Sequence, residues 1–217
     1  EHCVSLAPGE MWHVTYGLSE KSMMLAWNAL DANDLEETIA ARWDTWFQTL
    51  PHMAFECSNE KKLYYKCWHT IRNNYYTHPK WGHSVTESLP VYKGIWQWAM
   101  SSVEWHSDQN TEHTSEWICK SMDMMLAAQR EDGYITHAIY VDDTIPGERW
   151  MKSDTVQMPH FPWVALRYYY ATRDVKALKR WYPSLKRYYH YLSFSRDEAM
   201  ENRHLWAITS SFDTGLD

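Results

Sequence analysis

Seven residues near the C-terminal end of the sequence, Ser211-Phe212-Asp213-Thr214-Gly215-Leu216-Asp217, place two carboxylates four positions apart around a glycine. Asp and Gly together favour a turn or the start of a helix over a helix interior. A carboxyl group held against apolar rings has its pKa raised, which is what a general acid requires at neutral pH. Taken alone, the stretch is more simply read as an N-cap for a following helix. Its chemical interest comes from its position relative to two upstream stretches.

Those stretches sit in a chain built to bury a core. Of its 217 residues, 45% are hydrophobic and 23% charged, a balance that excludes a disordered chain. Fourteen Trp and fifteen Tyr stand against five Phe. Amphipathic aromatics offer an apolar face and a polar tip, as polyhydroxy ligands require, although most of these tryptophans serve equally as core filler. The formal net charge of −7, with no long basic run, argues against nucleic acid or an anionic membrane as partner. No apolar segment approaches the roughly 20 residues that span a bilayer. Cys3, Cys57, Cys67 and Cys119 lack metal-type or disulfide-framework spacing and fit buried thiols in a reducing, cytoplasmic compartment. The sequence opens at Glu1, without initiator Met or signal peptide, and stops just after a motif; a piece of a longer polypeptide is expected.

The elements that must position the carboxylates are read as helices. A Pro8-Gly9 turn and the run Trp12-His13-Val14-Thr15-Tyr16 predict a strand, the end of a preceding β-domain or linker over 1–18. From 19 to 217 the periodicity is helical. Helices are expected over about 19–30, about 34–49 with an Asp34–Glu37 capping box, and about 58–76 with Leu63, Cys67, Ile71 and Tyr75 on one face. Four more begin near Gly94, Thr111 and Pro159 and after Asp174, the last with an apolar stripe of Leu178, Trp181, Leu185, Tyr188 and Leu192. Strand character within this region is confined to Tyr134–Val141. Short and long connections alternate, which in antiparallel helices puts the long ones at one end. Each long connection closes on a motif: Tyr92-Lys93-Gly94-Ile95-Trp96-Gln97-Trp98, then Gln157-Met158-Pro159-His160-Phe161-Pro162-Trp163, then the carboxylate stretch. Trp96, Gln157 and Asp217 are 61 and 60 residues apart, one helical hairpin per interval.

The ordered series of Trp-x-Trp at Trp96 and Trp98, Asp132-Gly133-Tyr134-Ile135, Gln157-x-Pro and Asp-x-Gly-Leu-Asp resembles the α/α-toroid glycosidases over roughly residues 60–217. The nearest likeness is to the glycoside hydrolase family 63 glucosidases and their trehalase relatives, with glycogen-debranching glucosidases further away. The resemblance implies an all-α fold, an (α/α)6 toroid of helical hairpins with about its first half present. It implies an inverting hydrolase of a glucoside or related oligosaccharide, needing neither metal nor organic cofactor, and completed by the remaining half of the same polypeptide. Carried over by position, Asp217 is the general acid, Asp213 a substrate or supporting contact, and Trp96, Trp98 and Gln157 sugar-binding residues; Trp163 joins them as a candidate by its place at the start of an alternate helix. One departure is Ala99, where the family usually has Asp; Glu104 or Asp108 lies a turn or more further on.

Three other readings were weighed. His106, Asp108, Glu112 and His113 cluster, but not at metal-ligand spacing, so a solvated capping role is favoured. Asp142-Asp143 lacks the third Asp of a diphosphate–magnesium site, and no phosphate loop or nucleophile elbow is present. The rival from a different class is a non-catalytic carbohydrate-binding helical module, which Ala99 favours and the paired Asp213 and Asp217 oppose.

Overall fold

Asn73 ends a helix and Tyr75 begins a strand, and this switch sets the character of the fold. A computed structural model of the chain describes residues 5–10, 22–24, 35–78, 80–86, 94–97, 112–140, 142–143, 147, 155–157 and 159–197. The chain divides into two units, Glu1–Leu50 and Pro51–Asp217.

In the first unit, helix α1 (Leu35–Phe47) starts with Glu36 and Glu37 in its first turn, the favourable sign for a helix N-terminus. Trp43, Trp46 and Phe47 pack as a cluster with ring centroids 5.4–5.8 Å apart. The expected strand at 12–16, Asp34 and most of the 19–30 helix lie outside the described residues.

The second unit opens with α2 (Ser58–Asn73). Its inward face differs from the expected one. Leu63 and Cys67 point outward, and Tyr64, Tyr65 and the buried Trp68 turn in. Phe55, Tyr64, Tyr65 and Trp68 form a chain of ring contacts, and the Tyr64 hydroxyl donates to the Pro51 carbonyl. Burying the large rings removes more apolar area from water than burying a leucine and a thiol, so the helix is rotated by about one residue. β1 (Tyr75–His78) and β2 (Gly82–Val85) then form an antiparallel hairpin. Its turn is held by His78 Nδ1, which accepts from the backbone N–H groups of Lys80 and Trp81, both at 3.1 Å. Gly82 takes φ +114° there, which a side chain would resist.

β3 (Gly94–Trp96) pairs antiparallel with β4 (Ala138–Tyr140), and α3 (Glu112–Ala127) lies between them in sequence. α3 packs on β2: the Val85 N–H donates to Ser121 Oγ at 3.1 Å, and Trp117 stacks on Tyr75 at 5.2 Å. α4 (Phe161–Thr172) and α5 (Val175–Asp197) make a helical hairpin. Arg173, at φ +58°, closes α4 by donating its N–H to the Tyr169 carbonyl, and Asp174 Oδ1 caps α5 by accepting from Lys176 and Ala177. α5 runs in the same direction as α3. Asp123 meets Arg180 and Trp181, Gln129 meets Ser184 and Arg187, and the Gly133 turn beyond α3 rests on Arg187. Ile118, Met122, Met125, Phe161, Val164, Trp181 and Tyr188 form the core of this three-helix layer. Leu178 and Leu185, expected on the buried stripe of α5, are only half-buried on another face.

The all-α expectation is therefore corrected. Among the described residues the fold is mixed α/β, with five helices and two separate two-stranded antiparallel sheets, and it is not an (α/α)6 toroid of six hairpins or a half of one. Two local causes are visible. Tyr75-Tyr76-Thr77 is β-favouring and follows a helix end, so the expected continuation of α2 to Tyr76 gives way to a hairpin. Gly94-Ile95-Trp96, expected to start a helix, finds a partner in Ala138-Ile139-Tyr140 and becomes a strand. None of the described helices is long and apolar enough to cross a membrane.

The Asp132-Gly133-Tyr134 turn makes a direct stability prediction. Gly133 has φ +103°, and a Cβ there would collide with the Arg187 carbonyl group of α5. Gly133→Ala is expected to cost about 1–3 kcal/mol from left-handed strain and about 1–3 kcal/mol more from overpacking. A urea melt reads this as a lowered midpoint, and an unchanged midpoint would contradict the packing of this turn on α5.

Candidate functional site

A connected set of buried hydrogen bonds in the second unit is centred on Gln97, just after β3. Alternation along Gly94-Ile95-Trp96-Gln97 buries Ile95 completely and leaves Trp96 half-buried. Gln97 itself is 1% exposed, so its amide needs internal partners. It has them. Its backbone N–H donates to the His137 carbonyl at 2.8 Å, and its Nε2 donates to the Ile135 carbonyl at 2.9 Å. Its Oε1 accepts the backbone N–H of Gln157 at 3.2 Å. A carbonyl partner on one side and an N–H on the other leave only one orientation for the amide.

One side chain thus ties three segments together: β3, the strand-forming connection around 135–140, and the stretch that leads into α4. Gln157 and Thr155 are buried beside it, and the Tyr134 hydroxyl donates to the Thr155 carbonyl at 2.8 Å. Tyr134 is held in turn by the Gly133 turn, by edge contact with Tyr191 at 5.5 Å and by the Arg130 guanidinium 4.6 Å above its ring. Above the strand pair, Trp96 meets the buried His137 edge-to-face at 4.8 Å and Tyr140 at 6.1 Å. The Gln97 amide is therefore a buried clamp between three segments, and Trp96, His137 and Tyr140 form an aromatic cluster on the strand pair.

Neighbouring polar groups are mostly structural. Asp143 Oδ2 accepts the N–H groups of Tyr140 and Gly147 and fixes the loop after β4. Asp132 pairs with Arg130, whose guanidinium holds its carboxyl below the usual carboxylate range. On the α3–α5 seam, Asp123 takes hydrogen bonds from Arg180 and from Trp181 Nε1. Burial pushes the adjacent Cys119 thiol up, with the negative charge of Asp123 adding to it, so the thiol is protonated and unreactive at neutral pH.

The residues singled out by sequence divide by position. Trp96 and Gln157 are brought to one place, linked through Gln97. Trp163 lies on the first turn of α4, 54% exposed, with Arg167 above its ring at 6.0 Å. Trp98, Ala99, Glu104, His106, Asp108, Asp213 and Asp217 lie outside the described residues. No group of three or more metal-ligating side chains is present among the described residues. Sequence reasoning passed over Gln97 and His137. The available signal for Gln97 was a lone amide between two tryptophans in an Ile-Trp-Gln-Trp alternation, a polar residue on a face that strand periodicity would bury.

No protein-family model matches the chain, and no curated protein matches it in sequence.

Proposed function

We propose that the chain is part of the catalytic domain of an inverting glycoside hydrolase acting on a glucoside or related oligosaccharide, inactive alone and completed by the remaining half of the same polypeptide. The observation that carries this reading is the Gln97 clamp, which joins the strand bearing Trp96 to the backbone of Gln157, two motifs that are 61 residues apart in sequence. The half-buried Trp96 on that strand offers an aromatic face of the kind on which the apolar C–H faces of a sugar stack. The order of motifs that resembles the family 63 glucosidases supplies the rest of the proposal. Asp217 is the general acid, Asp213 a positioning contact, and Trp96, Trp98, Gln157 and Trp163 bind sugar. The acid protonates the glycosidic oxygen as the bond to the anomeric carbon breaks. Water attacks that carbon from the opposite face and gives up its proton to a second carboxylate, commonly about 6.5–9.5 Å from the first.

A second reading, a carbohydrate-binding module without catalysis, is favoured by Ala99, where the resembling family holds sugar hydroxyls with Asp. Following the anomeric proton by NMR during incubation of the complete polypeptide with α-linked and with β-linked glucosides separates the two. Hydrolysis by inversion first gives glucose of the anomer opposite to the substrate's, before mutarotation. Prompt release of the same anomer would contradict the inverting mechanism, and binding of either glucoside without any release of glucose would select the module.

A further inference from the structure

Helix α5 carries two apolar stripes, and among the described residues of the second unit only one of them is buried. Ala177, Trp181, Tyr188 and Leu192 are no more than 2% exposed. Leu178, Tyr182, Leu185 and Tyr189 follow the same helical spacing on a different face. Together with Pro162 and Leu166 of α4 they line an open apolar groove of about 410 Å³. Tyr182 is 65% exposed and Tyr189 57%. One apolar stripe is enough to hold a surface helix to its domain, so a second, continuous with apolar residues of a neighbouring helix, marks an interaction face.

Charge decides what fits it. Lys179 and Lys186 line this surface, with stems that can lie along apolar area while their ammonium groups reach its edge. Residues 161–197 contain eight Arg and Lys against two Asp, in a chain whose net charge is −7. Two copies meeting face to face here would bring like charges together, which disfavours self-pairing. An oligonucleotide is disfavoured by the net charge of −7 on the chain as a whole. We propose that this groove docks an acidic amphipathic helix of a partner protein. Apolar residues of that helix at i, i+4 and i+7 would seat between α4 and α5, and its flanking carboxylates would meet Lys179 and Lys186.

Fluorescence anisotropy tests the assignment on the full chain. The probe is a labelled helical peptide of about 16 residues, roughly 24 Å long, with Leu along one face and Glu beside it. Its analogue with Lys in place of Glu and a single-stranded oligothymidylate serve as comparisons. The acidic peptide is expected to bind at least about tenfold more tightly than the basic one, with an affinity that falls as salt is added. The double reversal Lys179→Glu with Lys186→Glu should remove or invert that preference. Tyr182→Asp should weaken binding at least about tenfold while leaving the thermal melt in place, since that side chain is largely exposed. Equal binding of both peptides, or a preference that survives the double reversal, would overturn the proposal. So would an oligothymidylate that displaces the peptide, or a dimer in sedimentation that Tyr182→Asp dissociates.

Discussion

Asp217→Asn in the complete polypeptide is expected to lower hydrolysis of a natural disaccharide by about 10²–10⁴-fold, the usual contribution of a general acid. The amide has nearly the size and shape of the acid but no proton to give. An alkoxide is a poor leaving group and needs that proton, whereas the phenolate of an activated aryl glycoside leaves without much help. The same substitution should therefore cost considerably less on the aryl substrate. Asp213→Asn should act through substrate position, with a smaller loss that is similar for both leaving groups. Measuring both substrates with both variants decides the assignment. Equal losses on the two substrates for Asp217→Asn, or a larger leaving-group dependence for Asp213→Asn, would make Asp213 the acid instead.

Gln97→Leu should produce the largest loss of stability near the site. The change keeps most of the volume and removes both side-chain hydrogen bonds, leaving the Gln157 N–H and the Ile135 carbonyl without the partners that Gln97 supplies. Each such group costs about 1–3 kcal/mol when buried and unsatisfied, so a fall of roughly 2–6 kcal/mol in unfolding free energy is expected. Gln97→Glu sharpens the test. As a carboxylate it can accept from Gln157 but turns an oxygen toward the Ile135 carbonyl. As a carboxylic acid it restores both bonds. Burial and the facing carbonyl favour the protonated form and raise its folded pKa above the ordinary glutamate value of about 4.3. The sign follows from that: the variant is closest to wild type at or below the ordinary value and loses stability as pH rises through the raised one. Denaturant melts of Gln97→Glu and wild type across this range should diverge with increasing pH. A constant difference would mean that Gln97 does not clamp the two segments.

Local signals carried part of this architecture and failed at long range. The starts of α3, α4 and α5 follow from apolar periodicity, from Pro162 near the start of α4 and from the Asp174 cap, all of which act within a turn or two. The strand around Ala138–Tyr140 was visible in its β-favouring run. Gly94-Ile95-Trp96 was read as a helix start because three residues cannot show a period, and what makes them a strand is a partner more than 40 positions away. The inward face of α2 was misplaced by about one residue because the stripe was traced through Leu63 and Cys67, and the larger area of Tyr64 and Trp68 outweighs them. Counting helices and loop lengths suggested a ring. That inference treated the long connections as plain loops, although they contain β2 and β4 and the first of them leads directly into β3. At the site, the 61-residue offset between Trp96 and Gln157 was legible, but the Gln97 hydrogen bonds that make the two neighbours were not, since nothing local to Gln97 requires them.

The central claim is that sugar binds where β3 meets the Gln157 backbone, against Trp96. Fluorine NMR of the protein labelled with 5-fluorotryptophan tests it most directly. The Trp96 resonance is assigned by its loss in Trp96→Phe, and α-linked gluco-oligosaccharides are titrated in. The account predicts a saturable shift of the Trp96 resonance, lost together with most of the affinity in Trp96→Ala. A shift confined to other tryptophans, with affinity unchanged in Trp96→Ala, would contradict it.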